Sequence, residues 1–171
     1  INVGTYVVDG EFLFPALDKL DPRNAHGEYY LTDIVQMAVQ QGRTVSALRL
    51  RAIDEGLGIN SRVQLAEAEQ VIRQRIREQW LEAGVTMRDP ASTWIDAEVT
   101  IGRDTVLYPN VTLEGRTVIG ESVVVHSGTR ITDCAIGDRV ELLDHCILRE
   151  SQVEEECHLG AFVHLRPGGI A

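Results

Sequence analysis

The sequence is short of basic charge. Its 16 lysines and arginines stand against 26 aspartates and glutamates, a net charge of -10. A phosphate backbone is held by clustered Lys and Arg, so neither DNA nor RNA is expected as a partner. Long apolar runs are missing too. None approaches the roughly 18 residues of a membrane span, and no signal-peptide pattern opens the chain, so no membrane partner is expected either. Only three cysteines occur, Cys134, Cys146 and Cys157, with no CxxC spacing, which fits a reduced, cytoplasmic compartment. There is no initiator Met, and nothing caps the repeats at the other end, so an internal piece of a longer protein is expected. What remains, 44% apolar and 25% charged, has the balance of an ordinary globular chain.

What is present is a beat of six residues. Ile95, Ile101, Leu107, Leu113, Ile119, Val125 and Ile131 are spaced by six; Ile136, Leu142, Leu148, Val153, Leu159 and Leu165 continue with two steps shortened to five. Helices have no such period, and strand alternation alone would not confine aliphatics to one position in six. Four places on sits a second small or β-branched residue: Val99, Thr105, Val111, Thr117, Val123, Thr129, Val140, Cys146, Cys157, Val163. Two of the cysteines thus fall at inward positions, where a thiol acts as a small hydrophobe. Ile101-Gly102, Ile119-Gly120 and Ile136-Gly137 open the second repeat in groups of three. The pattern predicts a parallel β-helix of hexapeptide repeats with about 18 residues per coil. Each inward aliphatic contributes roughly 1.5–3 kcal/mol. The competing fold is a small antiparallel sandwich, whose hairpins would not fall every six residues. Period alone leaves the hand of the coil open.

Upstream, residues 1–60 read as α/β: a strand near 4–8, a helix over 11–20 with Pro15 tolerated only in its first turn, and a loop over 21–24. A helix follows, capped by Thr32 or Asp33, with Ile34, Val35, Ala38 and Val39 as its stripe and Gly42 as its stop; a second strand is expected over 44–50. Ser61 and Gln64 have capping-box spacing before a helix that ends at Gly84, with Leu65, Ala68, Ile72, Ile76 and Trp80 on one face. Arg73, Arg75 and Arg77 on that helix read as a solvated face. Residues 85–93 are a connector. The expected division is therefore 1–60, 61–93 and 94–171.

Four stretches carry candidate chemistry, each with two readings. Asn2 completes a turn or offers its amide to a ligand. Gly27-Glu28-Tyr29-Tyr30-Leu31-Thr32-Asp33 is a capped helix start with packed tyrosines or a set of polar groups suited to a sugar. Asn60 caps a helix or supplies one hard oxygen to Mg²⁺. Arg166, at an outward position of the coil, is a surface residue without a role or a planar fork for a sugar phosphate. His126, His145, His158 and His164 fall at different places in their repeats, so scattered surface histidines are expected, not a zinc site.

The order INVG, NAHGEYYLTD, GINSRVQLAEAE, AGVTMRDPAS, hexapeptides, HLGAFVHLRPG resembles the bacterial bifunctional N-acetylglucosamine-1-phosphate uridyltransferase / glucosamine-1-phosphate N-acetyltransferase family, over essentially the whole chain. The resemblance implies the C-terminal part of a Rossmann-like nucleotidyltransferase domain, a long linker helix, and the first part of a left-handed β-helix that trimerises. It implies acetyl transfer from acetyl-CoA to glucosamine-1-phosphate, and uridylyl transfer from UTP with Mg²⁺ to give UDP-N-acetylglucosamine. Asn2 would bond the N-acetylglucosamine moiety, with Tyr30 and Thr32 near the same sugar. Asn60 would ligate Mg²⁺ and touch the nucleotide sugar, and Arg166 would bind substrate phosphate. The family's Gly-rich phosphate loop and metal-binding Asp would precede residue 1, and its acetyl-transfer base and CoA-binding residues would follow residue 171. No turnover is then expected from these residues alone. Other hexapeptide-bearing sugar-1-phosphate nucleotidyltransferases, and a non-catalytic scaffold of the same architecture, are the rival readings.

Overall fold

The computed structural model describes all residues except Ile1, Asn24 and Ala25, so one end of the expected 21–24 loop lies outside the described residues. It falls into two units, Ile1–Asn60 and Ser61–Ala171.

The first unit is built on two short helices. In α1 (Gly10–Leu17), the Asp9 carboxylate accepts the Glu11 N–H at 3.0 Å. Pro15 lies inside this helix and past its first turn, contrary to expectation. It has no N–H to give the Glu11 carbonyl, so this eight-residue helix forgoes that bond. In α2 (Asp33–Gln40), Ile34 and Ala38 are buried against Phe12 and Ala16 of α1, while Val35 and Val39 remain exposed. A contact stripe two residues wide is all that one neighbouring helix can cover. Gly42, with a φ of 71°, lets the Arg43 N–H reach the Ala38 carbonyl at 3.0 Å and ends the helix. The strands expected over 4–8 and 44–50 do not form, and the described residues of this unit hold no sheet. The Rossmann-like expectation is therefore not met within residues 1–60. Strand propensity becomes a strand only when a neighbour completes the ladder, and neither run pairs with another here.

The second unit opens with α3 (Arg62–Glu82). Ser61 caps it through Oγ to the Gln64 N–H at 3.2 Å, and Gly84, with a φ of 97°, ends it. Its apolar face is used only at the C-terminal end. Ile76 and Trp80 pack on the solenoid core, whereas Leu65 and Ile72 stay exposed. Of the arginines expected on a solvated face, Arg75 is exposed but the other two are not. Arg73 and Arg77 are half-buried with sheltered Nε atoms, and Arg73 lies over the Trp94 ring, 3.1 Å from its centroid. Burial, reinforced by the like charge of Arg77, pushes the Arg73 guanidinium below its usual pKa.

The solenoid has three parallel sheets, each taking every third strand. Sheet A stacks β1 (Thr86–Met87), β4 (Val106–Leu107), β7 (Val124–Val125), β10 (Glu141–Leu142) and β13 (His158–Leu159). Sheet B stacks β2 (Trp94–Ile95), β5 (Thr112–Glu114), β8 (Arg130–Thr132), β11 (Ile147–Arg149) and β14 (His164–Leu165). Sheet C stacks β3 (Thr100–Ile101), β6 (Val118–Ile119), β9 (Ala135–Ile136) and β12 (Gln152–Val153). The register pairs aliphatic with aliphatic. Ile95 meets Leu113, Leu113 meets Ile131, Ile131 meets Leu148 and Leu148 meets Leu165. Of the thirteen inward aliphatics all but Leu165 are buried, six of them completely. The antiparallel sandwich is excluded.

The core begins earlier and reaches further than the six-residue beat indicated. Val85 and Met87, expected in the connector, are buried in it, and Met87 pairs with Leu107. Cys134 and Ser151 are buried as well. Each lies in a five-residue step, where a missing residue brings the second inward position three places after the aliphatic instead of four. Three buried threonines keep their hydroxyls satisfied across the coils. Thr105 Oγ1 donates to the Gly120 carbonyl at 3.0 Å and accepts the Val123 N–H at 3.1 Å. Thr117 and Thr129 do the same, donating to the Glu114 and Leu143 carbonyls and accepting the N–H groups of Cys134 and Cys146.

From β3 to β14 each corner between strands uses one residue with positive φ. Most of these are not glycine: Asp104, Asn110, Ser122, Arg139, His145 and Glu156 are among them. The glycines of the Ile-Gly pairs serve a different purpose. A Cβ on Gly102 would lie 2.5 Å from the Gly120 carbonyl carbon, and one on Gly120 would lie 2.7 Å from that of Gly137. At this edge successive coils approach too closely for any side chain.

Candidate functional site

Asn2, Tyr30, Thr32 and Asn60 all belong to the first unit, and Arg166 to the second. Asn2 makes an Asx turn, its Oδ1 accepting the Gly4 N–H at 2.9 Å while its amide donates to the Tyr6 hydroxyl. Val3, beside it, packs with Leu50 against Gly56, where a Cβ would meet Val3 Cγ1 at 2.5 Å. The start of the chain is thus brought to the turn that leads to Asn60. Tyr30 is half-buried, and its carbonyl accepts the Asp33 N–H at 3.1 Å. Thr32 occupies the N-cap position of α2 with its own backbone already helical, and its side chain makes no capping bond. Of the two readings of that stretch, the capped start is therefore not what the Thr32 hydroxyl is used for. Capping of α3 falls to Ser61, which separates Asn60 from that role as well. Among the described residues, no group of three His, Cys, Asp or Glu side chains is arranged to hold a metal. A single amide oxygen at Asn60 nevertheless fits a Mg²⁺ that takes its other ligands from phosphate and water.

Arg166 follows β14 on the outer surface of sheet B and is exposed. Two coils below, Arg130 is gripped in a fork by Glu114 of the next coil, Nε to Oε2 at 2.8 Å and Nη2 to Oε1 at 2.7 Å, while Thr132 Oγ1 donates to Oε2 at 2.8 Å. The Arg130 hydrogen bonds lead in holding the Glu114 carboxyl below the usual carboxylate range. Between Arg130 and Arg166 on this face lies Arg149, the last residue of β11, which the sequence reading did not single out. The signal was present: Leu148-Arg149 and Leu165-Arg166 are the same dipeptide one coil apart.

The histidines are less scattered than expected. On the outer face of sheet A, His126 Nε2 and His158 Nδ1 each lie 3.1 Å from a different oxygen of Glu141, and Tyr108 stacks on His126 with ring centroids 4.7 Å apart. Bonds from His126 and then His158 hold the Glu141 carboxyl below its ordinary range. Alternation of register, with His126 next to β7 and His158 in β13, brings together residues that hold different places in their repeats.

Against this geometry the comparisons are consistent. The bacterial transferase hexapeptide family (six repeats) matches residues 98–133. "Bifunctional protein GlmU" of Heliobacterium modesticaldum is 46% identical over 168 residues, 98% of this chain and 36% of that protein. Over the stretch it spans, the chain is similar to GlmU. The GlmU proteins of Shouchella clausii, 44% identical over 98% of this chain and 37% of theirs, and of Geobacillus thermodenitrificans, 46% identical over 98% and 36%, agree. The chain thus spans little more than a third of the length of the GlmU proteins it matches. A GDP-perosamine N-acetyltransferase of Caulobacter crescentus aligns over 79% of the chain and 70% of its own at 13% identity and a TM-score of 0.23, too slight a likeness to argue from. The GlmU match runs through both units, so it includes the residues around Asn2, Tyr30, Thr32 and Asn60 as well as the coils.

Proposed function

We propose that the protein to which these residues belong makes UDP-N-acetylglucosamine in two steps, acetyl transfer from acetyl-CoA to glucosamine-1-phosphate and uridylyl transfer from UTP to N-acetylglucosamine-1-phosphate. The observation that carries this reading is the GlmU match over 98% of a chain whose second half is a hexapeptide solenoid. In this reading residues 1–60 are the C-terminal part of the nucleotidyltransferase domain, 61–93 the linker helix and connector, and 94–171 the start of a left-handed acetyltransferase β-helix. The protein would act in the cytoplasm as a homotrimer. Among the described residues no helix is long and apolar enough to cross a membrane.

The residue roles follow chemistry. Asn2 and Thr32 carry an amide and a hydroxyl suited to the acetamido and hydroxyl groups of the sugar, and the half-buried Tyr30 carries a phenol suited to the same ligand. Asn60 offers one neutral oxygen to Mg²⁺ and to the nucleotide sugar. Held there, the cation would supply charge neutralisation for the triphosphate. Arg166 holds the phosphate of glucosamine-1-phosphate, leaving the amine to receive the acetyl group. With the chain spanning 36% of its relative, turnover is assigned to the whole protein and none is expected from residues 1–171 alone.

The test measures both reactions in the whole protein, with calorimetric titration of UDP-N-acetylglucosamine in the presence of Mg²⁺. Asn60→Ala is expected to lose uridylyl transfer and keep acetyl transfer, and Arg166→Ala to do the reverse. A whole protein that binds no nucleotide sugar and transfers no acetyl group would leave only the scaffold reading standing.

A further inference from the structure

The outer face of sheet B carries an unusual concentration of positive charge for a chain of net charge -10. Arg130, Arg149 and Arg166 lie on or beside three consecutive strands, with His164 next to them. Arg130 is neutralised, and the Glu114 carboxylate that does so has both oxygens occupied by Arg130 and Thr132. Arg149 and Arg166 differ. Among the described residues neither side chain makes a hydrogen bond or an ion pair, and Glu114 acts on Arg149 only through space. The pairing of Leu148 with Leu165 sets the two arginines side by side, at a strand spacing of about 4.8 Å. Like charges so placed repel and destabilise the sheet.

We infer that Arg149 and Arg166 form a two-fork anion site for a phosphate monoester, one guanidinium coming from each of two successive coils. A tetrahedral dianion accepts parallel N–H pairs from both forks and removes their repulsion. This deepens the reading of Arg166 given above and rests on it for the identity of the ligand, a sugar phosphate. The part taken by Arg149 rests on the register alone. Thr132, already donating to Glu114, and Ile147 on the same face complete a surface that is polar on one side and apolar on the other.

The test titrates the whole protein with inorganic phosphate and with glucosamine-1-phosphate by calorimetry, using glucosamine as the ligand without phosphate. Arg149→Gln is expected to weaken phosphate binding about tenfold, the worth of a charge-assisted hydrogen bond, with Arg149→Lys recovering part of the loss. Both side chains are exposed, so the circular dichroism spectrum should not change. If Arg166→Gln abolishes binding while Arg149→Gln leaves it within twofold, Arg149 is excluded and the reading of Arg166 stands. If Arg149→Gln alone weakens binding, the pairing fails and so does the role given to Arg166. A chain that binds neither phosphate ligand overturns both.

Discussion

Replacing Gly120 by alanine adds one methyl group at the tightest edge of the solenoid. Built on the existing backbone, that carbon would lie 2.7 Å from the Gly137 carbonyl carbon, 2.8 Å from the Asp138 nitrogen and 2.4 Å from Asp138 Oδ1. Ordinary carbon contacts are about 3.5–4.0 Å. The carboxylate can rotate away, but two of these atoms are backbone, so the coils themselves must separate by the better part of an ångström. That movement pulls on the Gly120 N–H bond to the Ile136 carbonyl, now 2.9 Å, and on the Glu121 N–H bond to Asp138 Oδ1, now 2.8 Å. Overpacking costs about 1–3 kcal/mol and a weakened hydrogen bond about 1 kcal/mol more, so a loss of about 2–4 kcal/mol is expected. Gly160 provides the control. It too follows an inward aliphatic, yet a Cβ there meets nothing within 4 Å. Gly160→Ala should be neutral or stabilise by about 0.4–1 kcal/mol, through the entropy of the unfolded chain. Urea unfolding of the 171-residue chain, followed by circular dichroism, compares the two. Equal midpoints for both variants would refute the close-approach explanation.

Thr105→Val keeps the shape of a buried side chain but removes an acceptor from the Val123 N–H and a donor to the Gly120 carbonyl. A loss of about 1–3 kcal/mol is expected, the cost of a buried group left unpaired, and equal urea midpoints would show that the hydroxyl is dispensable. Glu114→Gln breaks the fork with Arg130. Because Arg130 is about half exposed, solvent screening holds the loss to about 1 kcal/mol at neutral pH. The folded-state pKa of Glu114 is depressed, so its contribution is complete above the unfolded value near 4.5 and is lost as pH falls through the lower folded value. Thermal melts of wild type and variant should therefore converge in acid; a gap independent of pH would mean that the carboxylate charge is not what stabilises.

The solenoid was legible because its period is a property of the backbone. One inward aliphatic per strand, repeated at every strand, leaves a mark that neither charge nor loop chemistry obscures. The reading failed where the coil departs from that period: Cys134 and Ser151 are inward because two corners are one residue short, and Met87 was hidden because its step to the next strand of the sheet is longer than the rest. The first unit was read less well. Alternating or β-branched residues over 4–8 and 44–50 promise strands only if a neighbour is at hand, and pairing is a property of space that sequence does not carry. Ser61 and Gly84 were easier, since they act within one turn of themselves, although the cap expected of Thr32 or Asp33 does not form at Thr32. For the candidate site, Arg166 stood out in a recognisable motif, while Arg149 required knowing which coil stacks on which. The same holds for the embrace of Glu141 by His126 and His158, residues separated by a full coil or nearly so.

The register between strands carries a consequence for how this fold can change length. Ala135 is paired with Gln152, and Ile136 with Val153, so removing one complete circuit from the last coils would bring equivalent side chains onto equivalent neighbours. Excision of a single hexapeptide would instead carry every later strand to the wrong side of the triangle. Growth and shrinkage by whole circuits is therefore the route open to such a rod, and its length is quantised.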